Sequence, residues 1–239
     1  MQQLDWPDRF LSLVQRRFPP RPRMRAHRPV GADMSRYPQL PLLFDPGRRL
    51  SMPPKPVLRH SDLRENGRFR YTLTRLWARS QPMLFWVVSH PAASDPANDD
   101  AAVKRIMHYS WEFGFGGIVV ASLYPVCVAS VNDARAWRET TRDTADTHFA
   151  AAAATAGKLA DRLRCKSRVA AWGRLDQAGH QDLDAWLGHF GSKAPVLCLG
   201  VSGNGDPLNP SARGSSRVDD RAGLMPFVYP LPVAGRLTA

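Results

Sequence analysis

The chain is short of what covalent and metal scaffolds need. Its three cysteines, Cys127, Cys165 and Cys198, lie far apart with no C-x-x-C spacing. Neither a disulfide framework nor a cysteine zinc site is expected, and a reducing compartment is the natural inference. His and Asp are too scattered to suggest any metal site. No Gly-rich phosphate loop or dinucleotide fingerprint occurs, so neither ATP nor NAD, nor any other cofactor, is expected. Long apolar runs are missing as well. The longest candidate, Gly117 to Val131, is broken by Ser122, Pro125 and Ser130, short of the ~18 residues a membrane span requires. Asp5, Asp8 and several arginines stand where a secretory signal would need an apolar stretch. The expectation is a soluble, cytoplasmic protein with no membrane partner.

Acidic residues are scarce too: 21 Asp and Glu face 33 Lys and Arg, a net charge of +12 over 239 residues. The imbalance is local. Residues 1–80 carry a net +11, and the remainder carries only +1. A basic front end on a nearly neutral body suits a polyanion, most often nucleic acid, because each neutralised phosphate releases counterions. The same charge also fits a solubilising tail, since charge alone gives no sequence specificity. Nucleic acid, in particular DNA, is the partner expected here.

What is present is organised in two parts. Residues 1–60 are dense in Pro and Arg, as in Arg16-Arg17-Phe18-Pro19-Pro20-Arg21-Pro22-Arg23, and read as a flexible basic arm. Leu4, Phe10, Leu11 and Val14 allow a short amphipathic helix inside it, and Met34 is an alternative start. Residues 61–239 read as a single α/β domain. Phe69, Tyr71 and Leu73 alternate as in an edge or half-buried strand. Met83 to Val88 is a buried strand. Asp99 and Asp100 then open an amphipathic helix through Val103, Ile106, Met107, Ser110 and Phe113. Further strands are expected at Ile118 to Ala121, Val169 to Ala171 and Val196 to Leu199, with helices from about Thr144 to Leu163 and Gln181 to Phe190. Strands alternating with helices imply a three-layer sandwich with a mainly parallel central sheet.

In such a sheet ligands gather beyond the carboxyl ends of the strands. Those ends carry Ser89-His90-Pro91, Ser122-Leu123-Tyr124, Trp172-Gly173-Arg174 and Gly200 to Ser211. The segment from Arg70-Tyr71-Thr72-Leu73-Thr74-Arg75-Leu76-Trp77 to Pro210 contains a series of motifs in fixed order: that opening, Val88 to Asp95, Asp99 to Arg105, Gly114 to Tyr124, Ala171-Trp172-Gly173, and Gly205-Asp206-Pro207-Leu208-Asn209-Pro210. Together they resemble the domain of unknown function 1643 family over roughly residues 68–212. The chain departs from the family pattern at three positions. His90 and Ser122 stand where the pattern has Asn, and Asn209 where it has His.

A more distant resemblance links the pattern to uracil-DNA glycosylases and implies that type of fold. It implies that His90 orients or deprotonates a water, with Asp95 as a second candidate, that Ser122 touches a base edge, and that Asn209 donates a hydrogen bond to the departing base. The three form one catalytic and base-reading set, with Tyr124, Trp172, Gly173 and Ser211 lining the substrate side. Such a donor is typically worth ~2.7–4 kcal/mol and a positioned general base ~10²–10⁴-fold.

Plainer roles fit the same residues. His90 before Pro91 can simply cap a strand end. Asp99 and Asp100 suit helix capping, with Arg105 pairing one of them. Trp172 suits the core, Asp146 and His148 suit a cap and a surface, and Asn209-Pro210-Ser211 suits a turn. Three functions are therefore carried forward: a DNA-directed, glycosylase-like protein cleaving or recognising a modified base; a non-catalytic nucleic-acid-binding or accessory protein; and an enzyme on free nucleosides or nucleotides.

Overall fold

Two periodicities run through the chain, two residues in the strands and about 3.6 in the helices, and the elements follow them. The computed structural model describes residues 53–92, 98–165, 167–190, 196–220 and 222–227. In chain order these form β1 (Leu58–Arg64), β2 (Phe69–Leu76), β3 (Met83–Val88), α1 (Ala101–Glu112), β4 (Gly117–Ser122), α2 (Val131–Thr140), α3 (Arg142–Arg162), β5 (Arg168–Ala171), α4 (Gln177–Phe190), β6 (Val196–Cys198) and β7 (Met225–Pro226). The sheet takes in Leu58, Arg59 and His60, the last residues of the segment read as an arm. The rest of that segment up to residue 52, its expected helix included, lies outside the described residues, as does Asp95.

The seven strands lie in the order β1-β2-β4-β3-β5-β6-β7. Strands β4, β3, β5 and β6 run parallel, whereas β1–β2, β2–β4 and β6–β7 are antiparallel pairs. The sheet is thus mixed, a correction to the mainly parallel one expected. Strand–helix alternation reports only the crossovers. The antiparallel flanks arrive through connections that leave no helical period in the sequence.

Strand β2 also departs from expectation. All eight of its residues are buried, and it lies inside the sheet between β1 and β4. A register shift against β1 leaves Tyr71 unpaired between Thr72↔Asp62 and Arg70↔Leu63. This bulge switches which residues face which layer. Phe69 and Tyr71 join the core under α2, α3 and α4, while Leu73 joins the core under α1.

Alternation in β3 and β4 builds both cores at once. Phe85, Val87, Val119 and Ala121 face α2–α4; Leu84, Trp86, Val88, Ile118 and Val120 face α1 and the segment around Leu199 to Leu224. Trp86 stays buried at no polar cost, because its indole N–H donates to Ser110 Oγ at 2.9 Å. Helix α1 is capped by Asp100, whose Oδ1 accepts from Val103 N at 2.8 Å. Helix α2, absent from the sequence reading, starts at a capping box formed by Ser130 and Asp133. Helix α3 presents Ala145, Ala152, Ala153, Ala156 and Ala160 to the core. Its small-residue face allows close approach to α4: a Cβ on Gly157 would stand 2.3 Å from the Phe190 carbonyl oxygen.

The connectivity sets the site. From β3 the chain passes through α1 to β4 on one side, and from β5 it passes through α4 to β6 on the other. The two helices cover opposite faces. The carboxyl ends of β3 and β5, which pair as Val88↔Ala171, therefore flank the crevice where the winding reverses, the usual ligand position in open α/β sheets.

Candidate functional site

Three strand ends meet in one row. Val88 pairs with Ser122 on one side and with Ala171 on the other. At ~4.8 Å between neighbouring strands, the loops that follow, bearing His90, Tyr124 and Gly173, leave the sheet within about 10 Å of one another. The fourth loop arrives from beyond β6. Gly173 has φ +78, and a Cβ there would lie 3.4 Å from that of Asn209. Glycine serves the left-handed turn, and the Asn209 side chain passes it at ordinary van der Waals distance.

The side chains in this row differ in what they can reach. His90 is half-buried, with Nδ1 3.0 Å from Ser89 Oγ. Burial lowers its pKa first and the Arg70 charge second, with Asp100 and Asp133 opposing. The ring is therefore neutral at neutral pH and able to accept a proton. Asn209 has its carbonyl oxygen fixed by Ser211, which donates to it from the backbone N–H at 2.8 Å and from Oγ at 2.7 Å. This Asx turn is the turn read from composition. It leaves the carboxamide NH₂ as the group turned away from the turn, a pure donor. Ser211 itself is exposed.

Ser122 and Trp172 share the row but are covered by opposite layers. Ser122 is 3% exposed, in phase with Ile118 and Val120 on the α1 face. Trp172 is 4% exposed on the α2–α4 face, edge-on to Phe227. Tyr124 is fully buried as a residue, yet it floors an open polar cleft of about 300 Å³ whose walls include Arg135, Arg138, Asp146, Asp176 and Asp182. Its hydroxyl donates to Asp182 Oδ2 at 3.0 Å. Burial, reinforced by Asp182, raises its pKa, so it stays a neutral donor.

The acidic candidates have structural partners. Asp100 is the α1 cap already described. Asp99 accepts from Arg75 Nε at 2.8 Å and pairs with Arg59 at 2.9 Å, tying β1, β2 and the start of α1 together. Arg105 pairs with neither. It reaches Asp220 at 2.8 Å, the Tyr109 hydroxyl at 2.9 Å and the Val218 carbonyl at 3.0 Å. That corrects the pairing expected from sequence. Asp and Arg five or six residues apart suggest a local pair, but the arginine is drawn to the strap packed over α1. Asp146 does not cap α3; it sits in its second turn and pairs with Arg138, which also holds Asp182 at 3.2 Å. His148 is not a surface residue either: it stacks on Phe69, contacts the Tyr71 hydroxyl through Nδ1 at 2.9 Å and pairs with Glu65 at 2.8 Å.

Three residues near the crevice were missed. Arg70 is buried at 6% exposure beside the β4 end, where its charge acts on His90 and Cys127. An arginine amid the residues of a buried strand was its signal. Asp206 is 1% exposed. It lies three residues before Asn209 and pairs with His180 in the first turn of α4, at 3.3 Å. Neither had a local signature, because the pair joins residues 26 positions apart.

The family model described as "Protein of unknown function (DUF1643)" matches residues 70–211. The chain belongs to this family. The matched segment begins at Arg70 and ends at Ser211, so it contains all four loops of the crevice and leaves β1 and β7 outside. No match is found among curated proteins or among solved structures. Among the described residues no group of His, Cys, Asp and Glu is arranged to hold a metal. No helix among them is long and apolar enough to cross a membrane.

Proposed function

We propose that the protein is a DNA-directed member of its family that takes a nucleobase into the crevice between the carboxyl ends of β3 and β5 and cleaves its N-glycosidic bond. The reading rests on the placement of His90 and Asn209 on adjoining loops at the switch point, one a neutral proton acceptor and the other a fixed hydrogen-bond donor. N-glycoside cleavage needs those two groups. Water adds to the sugar carbon as the carbon–nitrogen bond breaks, and the electron pair leaves with the base. His90 orients the water and takes its proton, and the Asn209 NH₂ donates to the oxygen on which negative charge develops. A base stacked in a duplex cannot reach such a crevice, so single-stranded, mismatched or modified DNA is the favoured substrate. The basic front end holds the phosphate backbone. The distant likeness to uracil-DNA glycosylases agrees with this chemistry.

The test is base release from oligonucleotides carrying a panel of modified bases, with the native chain and His90→Ala compared. The native chain is expected to release one of them, and His90→Ala to be slower by ~10²-fold or more. Tight binding with no release from any substrate would overturn the enzymatic reading. One observation favours a second reading, a non-catalytic nucleic-acid-binding or accessory protein: Ser122 and Trp172, both expected on the base, are enclosed by the core. In that case His90→Ala leaves DNA affinity unchanged.

A further inference from the structure

The loop that presents Asn209 also carries a carboxylate that packing does not explain. Asp206 is 1% exposed. Its Oδ2 receives one long hydrogen bond, from Leu175 N at 3.4 Å, and its Oδ1 has no hydrogen bond among the described residues. No arginine or lysine pairs with it there. The ionisable group beside it is His180, whose Nε2 stands 3.3 Å from Oδ1 and whose side chain is 30% exposed. Burying a carboxylate so sparsely bonded is costly. The backbone holds it firmly: the Asp206 carbonyl accepts from Ser202 N at 2.8 Å, and Val201 bridges to Pro207. A buried Asp behind a partly exposed His is the arrangement that fixes an imidazole's tautomer and orientation.

We infer that His180, held and oriented by Asp206, is the proton donor of the crevice. Asn209 can hydrogen-bond a departing base but cannot protonate it, and Asp206 is three residues away on the same loop. This rests on the base-cleaving reading above. The His180 imidazolium gives its proton to the base nitrogen as the carbon–nitrogen electron pair moves onto the base. The neutral ring then regains a proton from solvent, while the proton of the attacking water leaves through His90. Asp206 is a positioning residue. Burial raises its pKa, and the His180 charge, the Leu175 N–H and the Arg174 charge oppose that rise. Asp176, at the start of α4, is turned to Arg135 instead.

Single-turnover base release at saturating DNA, measured against pH, tests the assignment in the full chain. With native protein, rate loss on the alkaline side reports the donor. His180→Gln is expected to lower the rate ~10²-fold without changing DNA affinity and to abolish that alkaline limb. Asp206→Asn is expected to lower the rate with the limb displaced. Native release with His180→Gln within ~3-fold of it overturns the proposal. If the native chain releases no base, the base-cleaving reading fails and imidazole ¹⁵N shifts decide the pair. The neutral His180 ring is expected as the Nε2–H tautomer in the native chain and as a tautomer mixture in Asp206→Ala. An unchanged tautomer in Asp206→Ala overturns it.

Discussion

At the scale of single residues, charge buried in the sheet separates structure from chemistry. Asp99 satisfies the fully buried Arg75 side chain and reaches Arg59 as well. Removing one member of such a group leaves a charge without its partner, so Asp99→Asn is expected to cost about 3–5 kcal/mol in urea denaturation. Replacing Arg75 and Asp99 together by Met and Leu is expected to cost less than Asp99→Asn alone. Burial lowers the pKa of His90. The unfolded chain protonates near 6.5 and the folded one lower, so between these values the unfolded state binds more protons. Stability contributed by neutral His90 is full above 6.5 and is lost as pH falls through the folded value. Denaturation at acid and neutral pH is expected to show a smaller acid loss in His90→Gln than in the native chain. The sequence exposed His90 and Asn209 because each stands next to proline in a polar loop after an apolar run. It hid the Asp206–His180 pair and the Arg105–Asp220 pair, because both depend on which loops the sheet brings together.

At the scale of elements, the strands with uninterrupted apolar residues were legible nearly to the residue, as with Met83–Val88. The two-strand flank was not. Phe69 and Tyr71 alternate as an edge or half-buried strand would, but β2 lies between β1 and β4 with both faces covered, so every one of its residues is buried. Helix α2 escaped because its ten residues bury little beyond Ala134 and Trp137. Its start depends on the Ser130–Asp133 box, so Ser130→Ala is expected to lower thermal stability by about 1 kcal/mol. The α3–α4 contact is more exacting. At Gly157 even one methyl group meets backbone, the Phe190 carbonyl, at 2.3 Å. Helices must separate to admit it, and Gly157→Ala is expected to cost about 1–3 kcal/mol despite the better helix propensity of alanine. No loss in chemical denaturation would mean that α3 and α4 pack less closely than this distance implies.

At the scale of the whole molecule, a mixed sheet with a reversed winding order places four distant loops at one end, and on the proposed reading the basic front end supplies attraction without specificity. Replacing Arg16, Arg17, Arg21, Arg23 and Arg25 by alanine in the full chain is expected to weaken DNA binding uniformly across sequences. The salt dependence should flatten by ~0.7–0.9 for each phosphate that is no longer neutralised, as measured by titration at several salt concentrations. The central claim is that a base enters between the ends of β3 and β5. Photo-crosslinking a single-stranded oligonucleotide that carries one photoreactive pyrimidine, followed by peptide mapping, tests it most directly. Attachment is expected at Ser89 to Pro91, at Gly173 to Arg174 or at Leu208 to Ser211, and to fall when competing unmodified strand is added. Attachment confined to the front end, or to surfaces away from these loops, would contradict the account.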